Sequence, residues 1–90
     1  MTIQELEQEI DKEKFKTRII ENFLYIDFKD EKADTLAMWI EEGKYYLAYF
    51  KYLRIDGLET SREWTDNGYD AIKLFDKSYA RILIERENLK

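Results

Sequence analysis

Two adjacent carboxylate pairs, Asp30-Glu31 and Glu41-Glu42, are the side chains of this 90-residue chain best spaced for acid–base work or for holding Mg²⁺. Both stand in polar stretches that read as turns, where a solvated charge is the ordinary state. Other chemistry-bearing types are few. The sequence has no His and no Cys, which excludes Ser–His and Cys–His nucleophiles and ordinary zinc sites. Neither Ser61 nor Ser78 stands in a nucleophile motif. The three glycines form no phosphate-cradling G-x-G-x-x-G or G-K-[ST] pattern. Asp66-Asn67-Gly68-Tyr69-Asp70 has the residue types of a calcium loop, but the EF-hand pattern needs Gly sixth and a bidentate Glu twelfth. Here Gly68 is third and Lys77 twelfth, so the stretch reads as a helix cap. An enzyme would have to run on carboxylates, lysine or tyrosine alone. No catalysis, metal or cofactor is expected.

Binding is the remaining class. Twenty acids against fifteen bases give a net charge of −5. Phosphate backbones are gripped by clustered Lys and Arg, whereas here the bases stand singly between acids. Direct nucleic-acid binding is not expected; a basic partner fits the field better. The first expectation is a non-catalytic protein-binding module whose acids imitate nucleic acid for a basic nucleic-acid-binding protein. Its contact residues would be Glu5 and Glu9 on the first helix, and Asp30, Glu31, Asp34, Glu41 and Glu42 near turns. The alternative is a homodimer or other self-assembly. It rests on the stretch Tyr45 to Tyr52, which holds Tyr45, Tyr46, Tyr49, Phe50 and Tyr52. Strand alternation sends one row outward, either Tyr45, Leu47 and Tyr49 or Tyr46, Phe50 and Tyr52, and the exposed row, with Tyr46 and Tyr52 as candidates, would be the interface.

The elements that must position these residues follow from periodicity. Thr2 and Glu5 match a capping box, and Ile3, Leu6 and Ile10 form an apolar helical stripe, predicting a helix over 2–14. From Phe15 the period changes to two, with Leu24, Ile26 and Phe28 alternating against Phe23, Tyr25 and Asp27. Leu36, Met38 and Ile40 alternate in the same way. Glu42-Gly43 predicts a tight hairpin turn into the aromatic strand. Residues 34–42 also fit a helix capped by Asp34 and ended by Gly43, the weaker of the two patterns. Residues 58–63 read as a short edge strand. A closing helix is capped by Thr65, Asp66 or Asn67, with Ile72, Phe75, Tyr79, Ile82 and Leu83 as its face.

The expectation is one α+β domain over 1–90, ordered α-β-β-β-(β)-α, with an antiparallel sheet packed on one face by both terminal helices. The order resembles that of the double-stranded-RNA-binding domain, a family with a basic cluster at the start of its last helix. Residues 68–73, Gly-Tyr-Asp-Ala-Ile-Lys, hold a single base there, so the resemblance implies the layout and not the RNA grip. Lys44 to Tyr52 is loosely similar to the aromatic strand of the RNA-recognition motif, without its glycines. In length, acidity and layout the chain is similar to small phage and mobile-element proteins, among them anti-CRISPR inhibitors. The acidic N-terminus is unlike a signal peptide, and no apolar run suits a membrane span. A soluble cytoplasmic protein is expected.

Overall fold

The computed structural model describes residues 1–29, 34–50 and 59–88. Helix α1 (Ile3–Gln8) leads into strands β1 (Phe15–Ile20), β2 (Phe23–Phe28), β3 (Thr35–Glu41), β4 (Lys44–Phe50) and β5 (Glu59–Thr65), and helix α2 (Gly68–Asn88) closes the chain. The strands form one antiparallel meander in the order β1-β2-β3-β4-β5. This is the expected α+β layout, with more strands than expected.

The extra strand comes from one turn. Residues 15–28 read as a single extended stretch, yet Glu21 adopts φ 55° and folds it into the β1–β2 hairpin. A glutamate rarely takes a left-handed φ, so no glycine marks this turn. At the next hairpin both central residues are left-handed, Glu42 at φ 51° and Gly43 at φ 77°. That pair of positive φ values matches the right-handed twist of the strands it joins. Residues 35–41 are therefore strand, and the helical pattern over 34–42 yields to cross-strand pairing of Met38 with Leu47 and Trp39 with Tyr46.

Helix α1 stops at Gln8, well short of residue 14. The Asp11 carboxylate accepts from the Glu13 N–H at 2.9 Å, and its carbonyl accepts from Lys14 and Phe15. Local side-chain bonds of this kind compete with the helix. Lys12 Nζ donates to the carbonyls of Glu7 and Ile10, satisfying the helix end. The chain can then reverse into β1.

Both helices lie on the same side of the sheet, α1 against β2 and β3 and α2 against β4 and β5. Between them sits a core of Ile3, Leu6, Ile10, Phe15, Leu24, Ile26, Phe28, Leu36, Met38, Leu47, Tyr49, Ala71, Phe75 and Ile82. Phe15 meets Phe28, Phe75 and Tyr79 edge to face, with centroids 4.9–5.3 Å apart, a geometry that suits the ring quadrupoles. The buried stripe of α2 runs through Ala71, Phe75 and Ile82, and Leu83, expected on that face, is instead exposed. Asn67 caps α2, accepting from the Asp70 N–H at 2.9 Å and donating to the Asp70 carboxylate at 2.8 Å.

Candidate functional site

Among the described residues no helix covers the outer face of the sheet, and strand alternation fixes what it displays. Tyr45, Leu47 and Tyr49 turn toward the helices, leaving Tyr46, Ala48 and Phe50 on the open side. Hairpin register then lines up residues from every strand. Ile20 lies opposite Phe23, Phe23 opposite Trp39, Trp39 opposite Tyr46, and Tyr46 opposite Trp64. The result is a continuous apolar ladder across all five strands. Its central rings pack on one another: Trp39 stacks on Tyr46 at 5.3 Å and 8°, and Phe23 leans on Trp39 at 5.5 Å. Its ends are open, with Trp64 50% and Ile20 49% exposed on the edge strands.

The next row across the sheet is Arg18, Tyr25, Ala37, Ala48 and Arg62. The small side chain of Ala37 leaves a trough between Trp39 and Phe50. This open depression of about 280 Å³ is lined by Phe23, Tyr25, Ala37, Trp39, Glu41, Phe50 and Arg62. A third row runs Lys16, Asp27, Thr35 and Phe50.

Cations lie over the rings of this face. The Arg18 guanidinium sits 4.7 Å from the Tyr25 centroid, that of Arg62 5.3 Å from Trp39, and Lys44 Nζ 4.5 Å from Trp64. Ring quadrupoles attract such charges while the long stems cover apolar surface. Arg18 also pairs with Asp27 at 3.0 Å, and Asp27 accepts from the Thr35 hydroxyl at 2.6 Å. Lys16, Arg18, Lys44 and Arg62 thus face outward beside Asp27 and Glu41. Bases scattered singly along the chain are sorted by strand parity onto one surface of a net-acidic molecule.

Among the described residues, the acids expected to form a binding face lie in separate places. Asp34 is 7% exposed and accepts from the Tyr49 hydroxyl at 2.9 Å and the Arg86 guanidinium at 2.6 Å, so it belongs to the interior and not to a partner surface. The Glu5 carboxylate accepts from the Thr2 N–H at 3.0 Å while the Thr2 hydroxyl accepts from the Glu5 N–H at 3.1 Å. Hydrogen bonding of the carboxylate by the Thr2 backbone, and next by the Thr2 side chain, holds the Glu5 pKa below the usual glutamate value. Glu9, Glu41 and Glu42 are exposed, on the end of α1 and at the β3–β4 turn. Asp30, Glu31 and Tyr52 lie outside the described residues. Among the described residues no cluster of acids could hold a metal ion, and no helix is long and apolar enough to cross a membrane.

Of the expected contact residues that are described, the fold brings Tyr46 and Glu41 into this larger surface. The others of that surface, Phe23, Trp39, Trp64, Arg18 and Arg62, become visible only when strand registers are combined.

No protein-family model matches the sequence, and no solved structure matches the chain. A stretch of 62 residues, 69% of this chain, is 34% identical to the histone transcription regulator 3 homolog of Candida glabrata. The chain spans 4% of that protein's length, a share too small to carry a family or an activity across.

Proposed function

We propose that this chain is a non-catalytic protein-binding module that docks its partner on the open face of the sheet. The observation that carries this is the in-register ladder Ile20–Phe23–Trp39–Tyr46–Trp64, an aromatic surface with no element of the described chain packed over it. Aromatic rings beside arginines are the composition of energetic centres in protein interfaces. Self-association is the less favoured form of the idea. Stacking two such faces about a two-fold axis would draw Arg18, Lys44 and Arg62 of both copies out of water into one apolar layer, where desolvating charge is costly. Sedimentation at high concentration checks this directly: a stable dimer would assign the face to a second copy.

Replacing the exposed ladder ends, Ile20→Lys and Trp64→Lys, tests the main proposal with little risk to the core. Partner retention from the native source should be lost while the melting temperature holds. Unchanged retention would overturn it.

A second reading places the contact on the exposed acids Glu9, Glu41 and Glu42, as a nucleic-acid mimic for a basic nucleic-acid-binding protein, of the anti-defence type. Charge reversal at those three positions, combined with a steep loss of binding in salt, would favour it over the sheet face.

A further inference from the structure

We infer that Asn67-Gly68, where β5 passes into α2, is a site of spontaneous covalent modification. The Asn67 side-chain amide is lost as ammonia, and aspartate or isoaspartate takes its place. The first turn of α2 sets the rate, because the side chain that must react is also the helix cap. This does not depend on the sheet-face reading above.

The main-chain nitrogen that follows an asparagine can attack its side-chain amide carbon, and a glycine there leaves the approach open because it has no Cβ. The sequence holds three asparagines, and only Asn67 precedes glycine; Asn22 precedes Phe23 and Asn88 precedes Leu89. Packing accounts for the glycine, since a Cβ at Gly68 would stand 2.7–2.8 Å from the Cβ, Cγ and Sδ of Met1. Capping accounts for the asparagine. Two structural demands thus set a reactive pair side by side, with Asn67 exposed to water. In the reaction Gly68 N gives up its proton and bonds to Asn67 Cγ. The Cγ–Nδ2 bond breaks, and ammonia leaves behind a cyclic imide. Water then opens the imide. Attack at Cγ gives aspartate, whereas attack at the main-chain carbonyl carbon gives isoaspartate, with the main chain running through Cγ.

In the folded protein the reacting groups are tied. Asn67 Oδ1 accepts from the Asp70 N–H at 2.9 Å, and Nδ2 donates to the Asp70 carboxylate at 2.8 Å. The Asn67 carbonyl accepts from the Thr65 hydroxyl at 3.0 Å and the Ala71 N–H at 3.1 Å. Cγ reaches Gly68 N only after the side chain has turned out of its two bonds to Asp70. The chemistry therefore proceeds from the fraction of molecules in which the first turn has opened. The two products then act differently on α2. Aspartate keeps an acceptor for the Asp70 N–H, but it sets an oxygen against the Asp70 carboxylate where Nδ2 had donated. Isoaspartate also displaces the carbonyl that Thr65 and Ala71 use, and the first turn loses its cap. Loss of ammonia is one-way, so the site records the time the turn has spent open.

The test incubates the full chain in mildly alkaline buffer, folded or in urea, and follows it by peptide mapping with mass spectrometry. Asn67 should convert before Asn22 and Asn88, with the mass change of NH₂ replaced by OH. Conversion should be about tenfold or more slower in the folded protein than in urea. Asp70→Ala frees Nδ2 and should speed conversion severalfold in the folded protein, leaving the rate in urea unchanged. Asn67→Ser keeps a capping hydroxyl and should abolish the mass change at this site. Asp56-Gly57 can form isoaspartate through the same imide with no change in mass, and mapping separates the two peptides. In the isoaspartate form, amide exchange at Asp70 and Ala71 should be faster than in the unmodified protein. Earlier conversion of Asn22 or Asn88, no conversion of Asn67 in urea, or equal rates folded and in urea would each overturn the inference.

Discussion

Asp34 shows how a charged residue of the sequence can be spoken for by the interior. Its carboxylate accepts from a neutral donor, the Tyr49 hydroxyl, and from a cationic one, the Arg86 guanidinium, at the entry to β3. Removing Arg86 takes a cationic partner away from a buried carboxylate, so Arg86→Ala should cost about 3–5 kcal/mol, read from urea unfolding. Tyr49→Phe removes a single hydrogen bond and should cost about 1 kcal/mol at neutral pH. The two variants also differ in pH response. Burial first, then the hydrogen bond to Asp34, raises the Tyr49 pKa well above its ordinary value. A raised folded-state pKa means the folded protein holds the proton longer than the unfolded chain. The stabilisation is then complete below the unfolded pKa of about 10 and is lost as pH rises from there toward the folded value. Wild-type stability should decline more steeply than that of Tyr49→Phe above that pH, as measured by denaturant unfolding at stepped alkaline pH. None of this was legible in the sequence, where Asp34 reads as a helix cap or a turn acid. Its partners Tyr49 and Arg86 are 15 and 52 residues away, beyond the reach of any local pattern.

Among the elements, those defined by local bonds were legible and those defined by termination were not. The capping box of Thr2 and Glu5 is a pattern over four residues, and the structure contains it. Thr2→Ala and Asn67→Ala should each cost about 1 kcal/mol. Faster amide hydrogen exchange at Glu5 and Asp70, whose N–H groups those side chains accept from, would show the loss at each helix start. The end of α1 escaped prediction because Ile10 continues the apolar stripe after the backbone has left the helix. The β1–β2 turn escaped because its left-handed residue is Glu21. The Glu42-Gly43 turn was readable, and with it more than was drawn from it. A two-residue hairpin places Glu41 opposite Lys44, and counting back by twos places Trp39 opposite Tyr46. The central pairing of the ladder therefore follows from one turn signal plus strand parity.

At the scale of the whole molecule, composition averages over surfaces that the sheet separates. A net charge of −5 describes the chain as a whole, while the open side of the sheet sets Lys16, Arg18, Lys44 and Arg62 beside Asp27 and Glu41 around its rings. Substitutions along the ladder should consequently separate stability from binding. Trp39→Ala removes a ring packed on both Phe23 and Tyr46 and should destabilise by about 1–3 kcal/mol in thermal or chemical unfolding. Trp64→Ala, at a half-exposed edge, should stay within about 1 kcal/mol while weakening the partner complex.

The meander also sets an order of assembly. Every strand pairs with its neighbour in sequence, so the sheet can zip hairpin by hairpin with short loops to close. The bond from Arg86 to Asp34 spans 52 residues and forms only after α2 has come to rest across the finished sheet. In stopped-flow measurements, substitution of Arg86 should accelerate unfolding and leave the folding rate nearly unchanged, whereas substitution of Leu47 or Met38 in the central hairpin should slow folding. The pair would then act as a latch, governing how long the native state lasts and not how fast it is reached.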